Sequence, residues 1–197
     1  MKVFGLTGGI ASGKSAVMGF LQDYPLIEAD DVSREVVGPG SVGLAQISEA
    51  FGNEVLQDDG TLDRAALRRT IAHSKDAQQR LNAIMHPLII QTIMSRLHDL
   101  AEAGHSVAFV SAALMLETGS YRKYDGTLLV CAPESVRLAR LLSRDGMEEA
   151  TARALMAKQW PDEKKRELAT VIIENDADLA TLEARTKQAL VKLEIVA

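Results

Sequence analysis

Very little of this 197-residue chain is cysteine or proline: there is one cysteine, Cys131, and five prolines. A single thiol excludes a disulfide framework within the chain and fits a reducing, cytoplasmic setting. Cys131 lies in the apolar run 127–132, where it is either a nucleophile or a small buried hydrophobe, and the run favours the second. No stretch approaches the roughly 20 apolar residues of a membrane span. Gly8 to Ser15 also interrupt what would be the apolar centre of a signal peptide, so neither a leader nor a membrane partner is expected. Positive charge is not in excess either: 22 Lys and Arg against 27 Asp and Glu leave −5. Nothing in that balance favours nucleic acid or an anionic surface, and any polyanion must be met by locally gathered cations. Repeats and low-complexity segments are absent as well.

What is present suits one α/β domain with a helical insertion: 47% hydrophobic and 25% charged residues allow an ordinary buried core. The run 2–7 is short, apolar and followed at once by glycines, which predicts a buried strand entering a loop. Helical spacing follows over 14–22. A second short strand over 25–27 leads into Glu28-Ala-Asp-Asp31, where Asp30 or Asp31 can cap a helix through Val37. From 38 to 104 the pattern is helical: one helix over 42–51, a polar loop over 52–60, and another helix opening at 62–64. Pro87 is expected to split the pattern that follows and to open a helix over 87–102 that stops at Gly104. Strands are expected at 106–111, 126–131 and 170–174, with helices at 135–142, 148–158, 162–168 and 178–193. Five short strands separated by helices predict a parallel sheet covered on both faces.

Between the first strand and helix stands Gly8-Gly-Ile-Ala-Ser-Gly-Lys-Ser15, which satisfies G-x-x-x-x-G-K-[ST] at every required position. The glycines let consecutive N–H groups turn inward to cradle phosphate oxygens, and the following helix aims its positive end at them. Lys14 adds a point charge for the outer phosphates, and the Ser15 hydroxyl suits Mg²⁺. Gly9, Ala11, Ser12, Gly13, Lys14, Ser15 and Ala16 are therefore candidate ATP-binding residues. By itself the motif means a bound nucleoside triphosphate.

The missing companions of that motif narrow it. There is no N-K-x-D guanine reader. Ser111-Ala-Ala-Leu-Met follows the third strand in place of a D-x-x-G switch, and no apolar strand ends in the Asp an ATPase motor uses. Asp30 instead stands at the end of the second strand. There it can accept the proton of an attacking hydroxyl or bind Mg²⁺ through water, or it can merely cap the next helix. Arg137, Arg140 and Arg144 share one helix, as a solvated face or as cations over the phosphates. Arg144 opens a helical hairpin that can close over the loop. His86 is either a substrate contact or a local capping and packing residue. Trp160 with Pro161 is either an adenine stack or an exposed aromatic.

Taken together, 3–15, Glu28-Ala-Asp30 with Arg34, Gly60-Thr-Leu-Asp-Arg64 and Leu81-Asn-Ala-Ile-Met-His-Pro87 resemble the motifs of dephospho-CoA kinases. Arg144-Asp145, Gln159, Pro161, Glu163, Lys164 and Asn175 fall on that family's lid and closing strand, so the resemblance spans nearly the whole chain. It implies a three-layer P-loop kinase fold in a single domain over 1–197. The core would be 1–37, 105–135 and 169–197, the acceptor-binding helical region 38–104 and the lid 140–168. It further implies transfer of the ATP γ-phosphate to the 3′-hydroxyl of dephospho-CoA, with Mg²⁺ as cofactor. Asp30, Lys14 and Arg144 would be catalytic, Arg140 and Arg144 would meet ATP, and Thr7, Asp30, Arg64, His86 and Glu117 would meet the acceptor. Ser15 and Asp30 would hold the metal. A monomer is expected, with assembly left open. Departures from the family pattern are Ala11 for Gly, Ala16 for Thr, Glu28 for Asp, Ala113 for Pro, and Thr170 and Glu174 for acidic residues. A kinase for another small acceptor, such as a nucleoside monophosphate, and a non-catalytic ATP-binding switch are the competing readings.

Overall fold

Strand β1 (Lys2–Gly8) is buried from Phe4 onward, and its alternation decides how the molecule is layered. Phe4 and Leu6 face one side, with Leu128 and Val130 of β4 (Gly126–Cys131) and Val171 and Ile173 of β5 (Val171–Glu174). Against that side pack Val17 of α1 (Lys14–Gly19), Leu21, and Leu182, Ala189 and Leu190 of α9 (Leu179–Lys192). The alternate residues, Leu129, Cys131 and Ile172, meet Leu116, Tyr121 and Leu168 on the opposite side. Period-2 sequences thus build a sheet with two apolar faces.

The computed structural model describes residues 1–72 and 74–195. Its sheet has five strands in the order β2-β3-β1-β4-β5, with β2 at Leu26–Glu28 and β3 at Val107–Ser111. β1 runs parallel to β3 and β4, and β4 to β5, in registers such as Leu6 beside Ser111 and Gly8 beside Val130. Because the chain builds outward first to one side of β1 and then to the other, the crevice of the sheet opens at the carboxyl end of β1. No described helix is long and apolar enough to cross a membrane.

Contacts divide the chain into two compact units, Met1–Ile27 with Leu100–Ala197, and Glu28–Asp99. The first holds the sheet, α1, α9 and the helices α6 (Glu134–Asp145), α7 (Glu149–Met156) and α8 (Asp162–Arg166). The second holds α2 (Ala29–Glu35), α3 (Val42–Phe51), α4 (Arg64–Ile71) and most of α5 (Lys75–Glu102). Ser41 caps α3 by accepting from the Leu44 N–H, and Asp63 caps α4 by accepting from Ala65 and Ala66.

Three local expectations change. Pro87 does not open a helix but lies inside the 28-residue α5. The start signal stands earlier, where the Ser74 hydroxyl accepts from the Ala77 N–H, while the expected stop at Gly104 holds, with φ +84° and His105 N–H bonded back to Leu100. Proline costs an interior helix about 3 kcal/mol, yet no capping residue immediately precedes it to offer a new start. The segment 52–60 is more than a polar loop, because Val55 is buried in a short 3₁₀ turn and Leu56 bridges antiparallel to Leu62. Neither Asp30 nor Asp31 caps α2: Glu28 is the N-cap residue, without a side-chain bond, and both aspartates fall in the first helical turn.

Candidate active site

Residues 9–13 connect β1 to α1, and the backbone there is held in shapes that most side chains resist. Gly13 has φ +99°, and the Asn175 side-chain amide occupies the space a β-carbon would need. At Gly9 the Arg137 guanidinium does the same. Ala11, though, carries a β-carbon at φ +59°, a left-handed conformation that costs a non-glycine residue about 1–3 kcal/mol. The departure from the family pattern at Ala11 therefore removes no group that the loop chemistry needs but places a side chain where the backbone favours glycine.

The loop is held from outside by groups far away in sequence. Arg140 Nη1 donates to the carbonyls of Ala11 at 3.2 Å and Ser12 at 3.4 Å. Asn175 Nδ2 donates to the Ser12 carbonyl at 2.7 Å, and Gln159 Oε1 accepts from the Ile10 N–H at 2.7 Å. Ser12 N–H closes a turn onto Gly9. With the carbonyls drawn outward, the N–H groups of Ala11, Gly13, Lys14 and Ser15 have no protein acceptor among the described residues. Converging free amides with a nearby lysine form an anion cradle. Lys14 Nζ donates to Ser111 Oγ at 2.6 Å, at the carboxyl end of β3. Ser111 therefore stands where a motor ATPase ends its strand in aspartate, and it steers the lysine without adding negative charge. Lys14, Arg137 and Arg140 make this part of an acidic protein locally cationic, as a polyphosphate requires.

The α6–α8 arm returns to the sheet through buried charge. Arg137, 9% exposed, lies 3.8 Å from Asp162, and neither Arg137 Nε nor Asp162 Oδ1 has a hydrogen-bond partner among the described residues. Lys165, only 1% exposed, sits 3.1 Å from Glu117 Oε1, an ion contact without hydrogen-bond alignment. The same oxygen accepts from the Trp160 N–H at 3.1 Å. Arg166 forks onto Glu174 at 2.6 and 2.9 Å, and that carboxylate holds its guanidinium above the usual arginine range. Burial, with help from the nearby Asp162 charge, pushes the Cys131 thiol up to about 12, so it is an inert core residue.

The expected site residues separate into those the loop gathers and those it does not. Arg140 reaches the loop. Arg144, one turn on, instead forks onto its neighbour Asp145 at 2.7 and 2.8 Å; the hydrogen bonds raise its pKa and lower that of Asp145. Thr7 is buried, with its hydroxyl 3.4 Å from the Ala113 carbonyl. Ser15 is exposed at the start of α1, and Ala16 is part-buried behind it. Within the second unit, Asp30 is exposed and its carboxylate accepts no hydrogen bond from the described residues; only its carbonyl is used, by Ser33. Asp31 pairs with Arg34 at 2.6 Å. Arg64 opens α4 exposed, and His86 is exposed inside α5, away from either helix end.

The sequence offers no role for Ser111, Asp162 or Lys165, and Arg137 enters it only as a member of the arginine cluster in which Arg140 and Arg144 are the candidates for ATP. The one available signal was the charge of Lys165 in a helix that must pack on an apolar strand.

Residues 2–181 match the family described as dephospho-CoA kinase. The dephospho-CoA kinase of Moorella thermoacetica is 40% identical over 197 residues, 98% of this chain and 93% of that one. A Thermus thermophilus crystal structure designated TT1252 superposes with a TM-score of 0.85 at 31% identity, covering 100% of this chain and 98% of that one. The fold is also that of a dephospho-CoA kinase from Campylobacter jejuni, with a TM-score of 0.74 at 24% identity over 98% of each chain.

Proposed function

The chain belongs to the dephospho-CoA kinase family, and on that premise we propose that it transfers the γ-phosphate of ATP to the ribose 3′-hydroxyl of dephospho-CoA, giving coenzyme A. The observation that carries this reading is the loop itself: carbonyls tied back by Arg140 and Asn175, amides left free, and Lys14 held at its edge.

In this reading the free amides and Lys14 bind the phosphate chain and stabilise charge as it spreads over the transferring group. The 3′-oxygen bonds to the γ-phosphorus while the bond to the β,γ-bridging oxygen breaks and ADP leaves. Asp30 takes the hydroxyl proton. Its carboxylate is exposed and unengaged, two residues past the end of β2, which is how a base awaiting a substrate should be left. Arg140 orients the donor through the loop, Arg144 is the arm's arginine for the phosphates, and Thr7, Arg64, His86 and Glu117 are acceptor-side contacts. One domain carries all of this: the core 1–37, 105–135 and 169–197, the acceptor region 38–104 and the lid 140–168. A cytoplasmic monomer completes the proposal.

Mg²⁺ belongs to the same reading. No three His, Cys, Asp or Glu residues gather to cage a metal among the described residues; the proposed holders, Ser15 and Asp30, are each exposed, which suits an ion bound mostly by phosphate and water. When bound it would neutralise phosphate charge.

The deciding experiment is an ADP-release assay comparing dephospho-CoA with AMP, CMP and shikimate as acceptors. Stimulation by dephospho-CoA alone is expected; no stimulation by it would overturn the proposal.

A further inference from the structure

Asn175 follows β5 directly and is 5% exposed. Its Nδ2 donates to the Ser12 carbonyl at 2.7 Å and fills the space that a β-carbon on Gly13 would need. The Ser12 carbonyl and the Gly13 N–H belong to one planar trans peptide, so they point in opposite directions. Holding the carbonyl outward therefore turns the Gly13 N–H into the anion cradle. Asn175 is itself pinned on the strand side, where its N–H donates to the Cys131 carbonyl at 2.7 Å.

The residues on either side of Asn175 are pinned by one arginine on another element. Arg185 Nη1 donates to the Glu174 carbonyl at 2.6 Å and to Asp176 Oδ1 at 2.5 Å. The Glu174 carboxylate takes no part in this, being held by Arg166. Arg185 stands in the second turn of α9, beside Thr186, which is fully buried with its hydroxyl bonded to the Leu182 carbonyl. α9 lies on the sheet through Leu182, Ala189 and Leu190, so the arginine projects from a rigid base. Stability alone gives little reason for this clamp. The side chains of Arg185 and Asp176 are 33% and 47% exposed, and ion pairs so placed contribute little to folding. What the clamp does is hold both neighbours of Asn175 with a single nitrogen.

We propose that Arg185 is a positioning residue for ATP binding. It fixes Glu174 and Asp176, the fixed backbone aims the Asn175 amide at the Ser12 carbonyl, and that bond turns the Gly13 N–H toward the phosphates. The proposal rests on the reading of the loop as the ATP site and does not depend on which acceptor is used.

The test is calorimetric titration of the full-length protein with ATP. Arg185→Met keeps the apolar stem and removes the donors. It should weaken ATP binding about two- to tenfold, the worth of one uncharged hydrogen bond, and leave the acceptor KM and the unfolding midpoint unchanged. One nitrogen makes both bonds, so an ammonium can replace it, and Arg185→Lys should stay within about twofold of the wild type. In an Asn175→Ala background Arg185→Met should add nothing, because residues acting through one shared bond are not additive. A change under about twofold in Arg185→Met would overturn the proposal. So would an equal loss in the Asn175→Ala background, or an Arg185→Lys variant as weak as Arg185→Met. Wild-type protein that binds no ATP would instead overturn the functional reading, and the positioning role with it.

Discussion

The surroundings of the phosphate loop and the exposed residues of 28–99 are built on opposite plans. Around the loop the supporting side chains are committed, since Arg140, Asn175, Gln159 and Ser111 each bind another part of the protein and leave the cradle's amides free. In the helical unit, Asp30, Arg64 and His86 are exposed, and Asp30 and His86 show no side-chain hydrogen bond among the described residues. A donor common to many enzymes can be met by a site organised in advance, which spares reorganisation at the moment of reaction. On the proposed reading, Asp30, Arg64 and His86 finish their bonding only when the acceptor arrives.

Four substitutions break or sharpen that contrast. Lys14→Ala removes the charge that the organised side supplies, and kcat/KM should fall by about 10²–10³ in steady-state assays; a loss under tenfold would mean the loop is not the transfer site. Asp30→Asn touches only the unfinished side. It should cost roughly a hundredfold in kcat while ATP affinity by titration stays within a few-fold, and unchanged turnover would remove Asp30 from the mechanism. Arg140→Ala should raise the KM for ATP by about tenfold, the worth of charged hydrogen bonds, and leave the KM for the acceptor unchanged. Were both constants to rise together, the two sides would not be separable. Smallest is Ala11→Gly, which relieves the left-handed strain but gives the unfolded chain more freedom. The net gain should be about 0.5–1 kcal/mol in denaturant unfolding, and a loss of stability would show that the strain is not there.

What was legible in the sequence was whatever is local. The loop motif, the strands and the apolar faces of the helices repeat within a few residues, and periodicity records them. Even the departure at residue 11 was visible as a letter, although its cost appeared only once φ was known. The contacts that shape the site are remote: Gln159 lies 149 positions from Ile10, and Asn175 lies 163 from Ser12. No spacing rule connects such pairs. Helical periodicity put Arg140 and Arg144 on one face but not which of them meets the loop. That depends on where along its axis α6 passes the loop, and the later arginine falls in the final turn beside its own aspartate. Pro87 misleads for a local reason, since the cap that starts α5 stands at Ser74, well before the proline, while the stop at Gly104 is where the pattern puts it.

The Lys165–Glu117 pair has a mechanical consequence. A charge with 1% exposure cannot be lifted from its counter-charge without stranding both in an apolar layer. Lys165 therefore behaves as a bolt, and Arg140, gripping the loop from the other end of the arm, as a second one. Between the two, α7 is fastened as well, because Ala152 is fully buried in one cluster with Leu138 and Leu141 of α6. The arm is thus held at three places along its length.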